Sequence, residues 1–297
     1  MGLQAAVSEY LDYLQTVARR SPLTVQGYRA DYKRFLAFIG DQADLPLANV
    51  TPQLLERYTA SLRDLSDATV RRALNALSSL FRWACRAGHA STNPVDLVQR
   101  PRKKQKIQPC PSPDEVSALL DATKGPTERA ALLAMATSGL RRAELLGLDW
   151  SAVNLPARRL RIIGKGDKQR EVAVFEELLA ALHALHAKAG FPTEGPVFCG
   201  RLGKPLQQSA LQAWLNKWLE ATGLRDTTGN RYTLHSLRRF AAKRWLEGGL
   251  NIRQVQLLLG HSDLQVTMQY LCYDFEEVQR QAARVDFGLT LKPVLER

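Results

Sequence analysis

The spacing of apolar residues predicts an all-helical amino-terminal part of the chain. Over residues 7–17, and again after Ser21 and Pro22, apolar side chains recur every three or four positions, the period of one helix face. A third helix is predicted from Pro52 to about position 62, and a fourth from Ser66 until Gly88. Proline near a helix start and glycine just beyond an end are the expected boundary residues. Residues 1–96 are therefore predicted to form a four-helix bundle.

The composition changes in residues 97–111, which are rich in proline and in positive charge. A segment of this kind does not pack as a regular element, so we interpret it as a linker between two domains. It is either a solvated connector or a strap that lies against phosphates, and the charge of the whole chain favours the strap. Its cations are Arg100, Arg102, Lys103, Lys104 and Lys106.

Residues 112–297 are predicted to be mostly helical, with one exception. Apolar and polar residues alternate over 159–163 and 170–174, and a glycine-containing turn at 164–168 joins the two segments. Alternation with such a turn predicts a β-hairpin. The predicted fold class is therefore mainly α: an amino-terminal four-helix domain, and a second helical domain with a small antiparallel sheet.

The charge balance indicates a polyanionic partner. The 297 residues include 41 Lys and Arg against 29 Asp and Glu, a formal net charge of +12. Nucleic acid is the commonest partner of such a chain. No apolar run is long enough to cross a bilayer, no secretory signal is expected at the amino terminus, and the four cysteines lie far apart. We therefore expect a cytoplasmic protein without a disulfide framework or a zinc site.

Several polar residues could carry chemistry, although each has an ordinary structural interpretation. Arg141 begins a short predicted helix. His235 and Arg238 are three positions apart on a predicted helix over 234–246, where we expect both to point away from the apolar stripe. His261 follows a glycine that ends one helix, and Tyr270 lies on the next. Taken one at a time, such residues are most often surface charges or packing groups.

Taken together, four segments resemble the motifs of tyrosine site-specific recombinases, most closely the Xer-type and integrase-like members. The resemblance spans nearly the whole chain and implies a core DNA-binding domain followed by a catalytic domain. Arg239 stands where many Xer-like proteins have a histidine, which weakens an assignment as a housekeeping chromosome-dimer resolvase. The segments are TSGLRRAELLGL (137–148), IIGKGDKQREV (162–172), HSLRRF (235–240) and LLGHSDLQVTMQY (258–270).

The resemblance implies a role for each of six residues. Arg141 and Arg238 would clamp the scissile phosphate, where permanently charged guanidinium forks stabilise developing negative charge. His235 would be the general base, because a phenol with a pKa near 10 needs a proton acceptor. The other three would be Lys165 as general acid, His261 as a donor to a phosphate oxygen, and Tyr270 as nucleophile.

Two neighbouring residues leave alternatives open at this point. Tyr273 lies one turn after Tyr270, and we favour Tyr270 as the nucleophile. Glu144 either orients Arg141 or is an exposed helix charge. No cofactor or metal is expected, because the arginines and the lysine supply the positive charge that a metal would otherwise bring.

The implied activity is cleavage and rejoining of duplex DNA through a 3′-phosphotyrosyl intermediate and a Holliday junction. The implied assembly on two DNA sites is a homotetramer, or a heterotetramer with a related recombinase, in the cytoplasm at the nucleoid. Residues 284–297 would then pack either on a neighbouring subunit or on their own domain. Two other functions remain open: a nicking-closing enzyme like the type IB topoisomerases, and a sequence-specific DNA-binding partner that does not cut.

Overall fold

The computed structural model describes residues 1–42, 44–101, 109–164, 169–200 and 203–260. The chain forms two compact units, Met1–Lys106 and Ile107–Arg297. In the described residues, the structure is mainly helical with one small antiparallel sheet, so the predicted fold class is confirmed. No helix among these residues is both long and apolar enough to span a bilayer.

The first unit contains the four predicted helices. They are α1 (Leu3–Thr16), α2 (Pro22–Ile39), α3 (Pro52–Ser61) and α4 (Asp67–Arg86). The side chains of Ser21, Thr51 and Ser66 cap the starts of α2, α3 and α4 by accepting backbone N–H groups. Helix α1 starts before the predicted position 7, because its first turn is also apolar and buries Leu3 and Ala6.

The apolar faces of these helices meet in one core. Tyr32 is buried there, and its hydroxyl donates a hydrogen bond to the Ala76 carbonyl at 2.8 Å, so the buried polar group has a partner. The core extends into the residues that we predict to be the linker, since Val98 is buried against it. Arg100 is exposed and donates to Asn75 Oδ1 at 2.7 Å. The domain bounds 1–96, 97–111 and 112–297 stay a prediction.

The second unit surrounds a three-stranded sheet with helices. The helices in its described residues are α5 (Pro113–Asp121), α6 (Pro126–Thr137), α7 (Arg142–Leu146), α8 (Glu176–Lys188), α9 (Gln208–Thr222), α10 (Leu234–Glu247) and α11 (Ile252–Leu259). The strands are β1 (Val153–Asn154), β2 (Arg159–Ile163) and β3 (Gln169–Ala173), paired antiparallel in that order. The predicted hairpin is therefore present as β2 and β3. The strand β1 was not predicted, because two residues are too few to show alternation.

One face of the hairpin packs inward and the other faces solvent. Leu160, Ile162 and Val172 are buried in the core of the second unit. Arg170 pairs with Ile162 in the strand register and shares the inward face with Val172. A charged residue is therefore held among apolar ones, which requires a partner for its charge.

Candidate active site

Glu144 lies at the centre of a cluster of arginines. It is the third residue of α7, and its carboxylate turns back to accept the Arg141 backbone N–H at 2.7 Å. The same carboxylate accepts Arg141 Nη1 at 2.8 Å. Only 5% of the Glu144 side chain is exposed. Glu144 is therefore a buried partner of Arg141 and not an exposed helix charge.

Arg141 itself remains accessible. Its Nη2 donates to the Gly260 carbonyl at 3.2 Å, and 34% of its side chain is exposed. The contacts with Glu144 and with the Gly260 carbonyl fix the orientation of the guanidinium, and its exposed part faces solvent. A fixed and accessible guanidinium is suited to bind a phosphate oxygen.

Arg238 is buried on the inner face of α10. Its side chain is 1% exposed, and its Nη2 donates to the Leu259 carbonyl at 2.6 Å, while Nη1 donates to the Gly139 carbonyl. Nη1 also lies 3.7 Å from the Glu144 carboxylate. The prediction that Arg238 points away from the apolar face of its helix is wrong. The backbone carbonyls and the carboxylate compensate for the loss of water around the charge.

Gly139 makes this arrangement possible. Its φ of +59° lies in the left-handed region that favours glycine, and an added Cβ would lie 3.0 Å from the Trp245 ring. The backbone therefore passes close to α10 and turns its carbonyl toward Arg238. A glycine between the end of α6 and Arg141 serves to bring the two arginines together.

Arg170 is a third arginine of the cluster, and it is not among the site residues predicted from the sequence. Its Nη1 and Nη2 donate to the two oxygens of Glu144 at 2.7 and 2.8 Å, a bidentate pair. Its Nε donates to the Leu258 carbonyl at 2.8 Å. Its position on the inward face of β3 is the signal that could have revealed it, since a charge there needs a buried partner of opposite sign.

Three consecutive carbonyls at the end of α11 bind the three arginines. Leu258 accepts from Arg170, Leu259 from Arg238, and Gly260 from Arg141. The last carbonyls of a helix have no partner within the helix and carry its negative partial charge, so cations stabilise them. The cluster thus joins α7, β3 and α10 to the end of α11.

The pKa of Glu144 reflects this surrounding charge. Burial alone would raise the pKa, but hydrogen bonds from Arg170 and Arg141 outweigh burial and lower the pKa to about 2. Glu144 is therefore ionised throughout the neutral range. The cluster holds one negative and three positive charges.

His235 lies in the first turn of α10 and is exposed. Desolvation of the ring lowers its pKa below the ordinary histidine value, and the positive charges of Arg239, Arg238, Arg142 and Arg141 lower it further. Both effects favour the neutral form of the ring. A neutral imidazole is the form that accepts a proton.

The structure therefore brings together Arg141 and Arg238 and places His235 on the helix that carries Arg238. The remaining members of the predicted set lie outside the described residues. By sequence, Lys165 lies between β2 and β3, and His261 directly follows Gly260. The residues concerned are Lys165, His261 and Tyr270 of the catalytic set, and Arg102, Lys103, Lys104 and Lys106 of the linker.

Comparison with known families identifies the class of protein. Residues 112–277 match the phage integrase family, and residues 7–88 match the phage integrase N-terminal SAM-like domain. The first match contains every described member of the arginine cluster. The chain belongs to the phage integrase family.

Its curated relatives are named as recombinases. Tyrosine recombinase XerC of Xylella fastidiosa strain M23 is 30% identical over 280 residues, which cover 92% of this chain and 94% of the relative. XerC of Pelobacter propionicus is 30% identical over 269 residues, with 87% of each chain covered. This protein is accordingly a tyrosine recombinase, an enzyme of site-specific recombination. These relatives lend no support to the topoisomerase or the non-cutting alternative.

Solved structures show the same fold. A lambda integrase fragment crystallised as a dimer bound to a COC′ core site has a TM-score of 0.74 at 21% identity, with 90% of this chain and 97% of that chain covered. The Tn1549 transposon integrase in complex with transposon right end DNA has a TM-score of 0.75 at 16% identity, with 96% and 99% covered. At such identities the likeness extends to the fold.

Proposed function

We propose that this recombinase cleaves and rejoins duplex DNA with Tyr270 as nucleophile and with Arg141 and Arg238 bound to the scissile phosphate. The observation that carries the proposal is the convergence of the two arginines on Glu144 and on the last carbonyls of α11. The chain continues from those carbonyls directly into the segment with His261 and Tyr270. Two fixed cations at the end of α11 supply the positive charge that attack on an anionic phosphodiester requires.

The cleavage step balances without an external energy source. The Tyr270 phenol oxygen bonds to phosphorus, and the bond from phosphorus to the 5′ oxygen breaks. His235 takes the phenol proton, and Lys165 gives a proton to the departing 5′ oxygen. His261 donates to a phosphate oxygen. The products are a 3′-phosphotyrosyl bond and a free 5′ hydroxyl.

The rejoining step reverses this chemistry on a partner duplex. The 5′ hydroxyl of the partner strand attacks the phosphotyrosyl bond and releases Tyr270. One exchange of strands gives a Holliday junction, and a second resolves it. Because the phosphodiester energy is kept in the protein–DNA bond, no nucleotide triphosphate is consumed.

The proposed partner is double-stranded DNA, bound by a tetramer on two sites. A related assembly supports this, since one structural neighbour is a lambda integrase tetramer bound to a Holliday junction. We propose that residues 1–96 and 112–297 each contact the duplex, that residues 97–111 lie along its backbone, and that the protein acts in the cytoplasm at the nucleoid. The tetramer consists of four copies of this chain or includes a related recombinase.

Replacement of the nucleophile tests the proposal. A site for this chain is first selected from a pool of random duplexes and then built into a nicked suicide duplex, on which covalent adducts are counted on denaturing gels. Tyr270→Phe is expected to lower adduct formation about a thousandfold or more, because the attacking oxygen is gone. Its mobility shift with the same duplex should match that of the wild type.

Tyr273→Phe is the matched control and should form adducts normally. Adducts that persist in Tyr270→Phe would show that another residue is the nucleophile. A wild-type chain that binds its site without forming adducts would contradict the proposed chemistry. Exchange between two plasmids that carry the site then separates recombination from relaxation.

A further inference from the structure

The arginine cluster contains a charge arrangement that the proposed mechanism does not use. Of the three arginines around Glu144, Arg170 makes the tightest contact, with two nitrogens on two carboxylate oxygens at 2.7 and 2.8 Å. Arg141 uses one side-chain nitrogen at 2.8 Å, and Arg238 lies at 3.7 Å. The Arg170 side chain is 10% exposed, so solvent screens this pair weakly.

An ionised carboxylate at this position opposes the binding of a phosphate. It repels the anion directly, and it competes with the anion for the guanidinium of Arg141. A bidentate arginine pair satisfies both oxygens of the carboxylate and cancels its charge. With Arg170 and Glu144 counted as a neutral pair, Arg141 and Arg238 keep two positive charges for a ligand.

We propose that Arg170 is a positioning residue whose guanidinium neutralises Glu144, so that the charge of Arg141 and Arg238 is available to the scissile phosphate. The inference rests on the proposed function of those two arginines. Arg170 itself makes its contacts with Glu144 and with the Leu258 carbonyl, and it acts on the reaction through them.

A purely structural role for Arg170 makes a different prediction. In that case Arg170 matters because its hydrogen bonds connect β3 to α7 and to the end of α11. Removing Glu144 as well would then remove further hydrogen bonds and would not restore the rate. Under the charge-neutralising role, removing Glu144 from a chain that lacks Arg170 removes the unpaired carboxylate. Deleting one member of a buried ion pair is strongly unfavourable, whereas deleting both is often nearly neutral.

The test is a double-mutant cycle on adduct formation. Rates are measured at saturating DNA on the selected suicide duplex for the wild type, Arg170→Gln, Glu144→Gln and the double variant. We expect Arg170→Gln to be slower by about a hundredfold, and the double variant to be at least about tenfold faster than Arg170→Gln. A double variant as slow as Arg170→Gln, or slower, would overturn the proposal.

A matched control comes from the same hairpin. Arg159 on β2 pairs with Glu171 on β3 at 2.9 Å, and both side chains are more than half exposed. The corresponding cycle with Arg159→Gln and Glu171→Gln should stay within about twofold of the wild type, because exposed pairs contribute little. Arg170→Lys keeps the positive charge but cannot make the bidentate contact with the carboxylate. Its rate of adduct formation should fall between those of the wild type and Arg170→Gln.

A second measurement does not depend on the nucleophile. Inorganic phosphate, added at constant ionic strength, should raise the Tm of the wild type and of the Arg159→Gln control by the same amount, since a ligand of the folded state stabilises it. The rise should be smaller in Arg170→Gln and restored in the double variant. If the wild type forms no covalent adducts, the proposed function is contradicted. The phosphate-induced rise in Tm would still test the role of Arg170 in that case. An equal rise in wild type and Arg170→Gln would overturn that role.

Discussion

At the first turn of α10, the His235 ring is surrounded by arginine charge that disfavours its protonated form. Arg239 makes the largest of these charge contributions to the lowered pKa of His235. Arg239→Gln should therefore raise the pKa of His235. Because a general base works only when it is unprotonated, the acid limb of the rate profile should move to higher pH. Adduct rates measured from about pH 5 to 8 would show this shift.

Arg244→Gln is the control for this prediction. Arg244 lies on the same helix and pairs with Glu247 near its carboxy-terminal end. Its replacement changes the net charge equally but should leave the acid limb in place. An Arg239→Gln profile that coincides with the wild type would argue against His235 as the base.

At the scale of elements, the packing of α10 on α11 positions Arg238 against the Leu259 carbonyl. Ala241, Ala242, Trp245, Val255 and Leu259 form a small buried cluster between the two helices. This cluster is separate from the larger core of the second unit. The geometry of the arginine site therefore depends on a few side chains.

Leu259→Ala should disturb this site more than it disturbs the fold elsewhere. The lost burial and the cavity should lower the free energy of unfolding by about 2–5 kcal/mol, measured by denaturant titration. Adduct formation per folded molecule should also slow, because the end of α11 loses its anchor. Leu74→Ala, a fully buried leucine of the first unit, should cost similar stability without this effect on the rate. Equal rates in the two variants would contradict the anchoring role.

The sequence predicted those elements whose pattern is local. Helices α1 to α4 each pack one apolar face against a single core, so the helical period of their apolar residues predicts them. The β2–β3 hairpin is predicted by the alternation of apolar and polar residues and by the turn residues between the strands. Arg238 was misjudged because a period assigns charged residues to the outside, whereas its burial depends on carbonyls at Gly139 and Leu259. Arg170 was missed for the same reason, since its partner Glu144 belongs to another element.

At the scale of the whole molecule, each unit has its own apolar core. One core involves α1 to α4 and extends to Val98, and the other involves helices and strands of the second unit. Each core consists of described residues of its own unit. Residues 102–108 lie outside the described residues, and by sequence they contribute four of the 41 cations of the chain: Arg102, Lys103, Lys104 and Lys106.

If these four cations lie against phosphates, replacing all of them with glutamine should change how DNA binding responds to salt. Each phosphate contact contributes about 0.9 to the slope of log affinity against log salt, so the slope should become shallower by about 3 to 4. Mobility shifts with the selected duplex across a salt series would measure it. The control replaces four exposed cations of the two units and makes the same charge change: Arg63, Lys124, Lys188 and Lys217. If the strap interpretation is correct, the slope changes clearly more in the linker variant than in the control, because the loss of net charge affects both variants equally. Equal slopes in the two variants would identify residues 97–111 as a solvated connector.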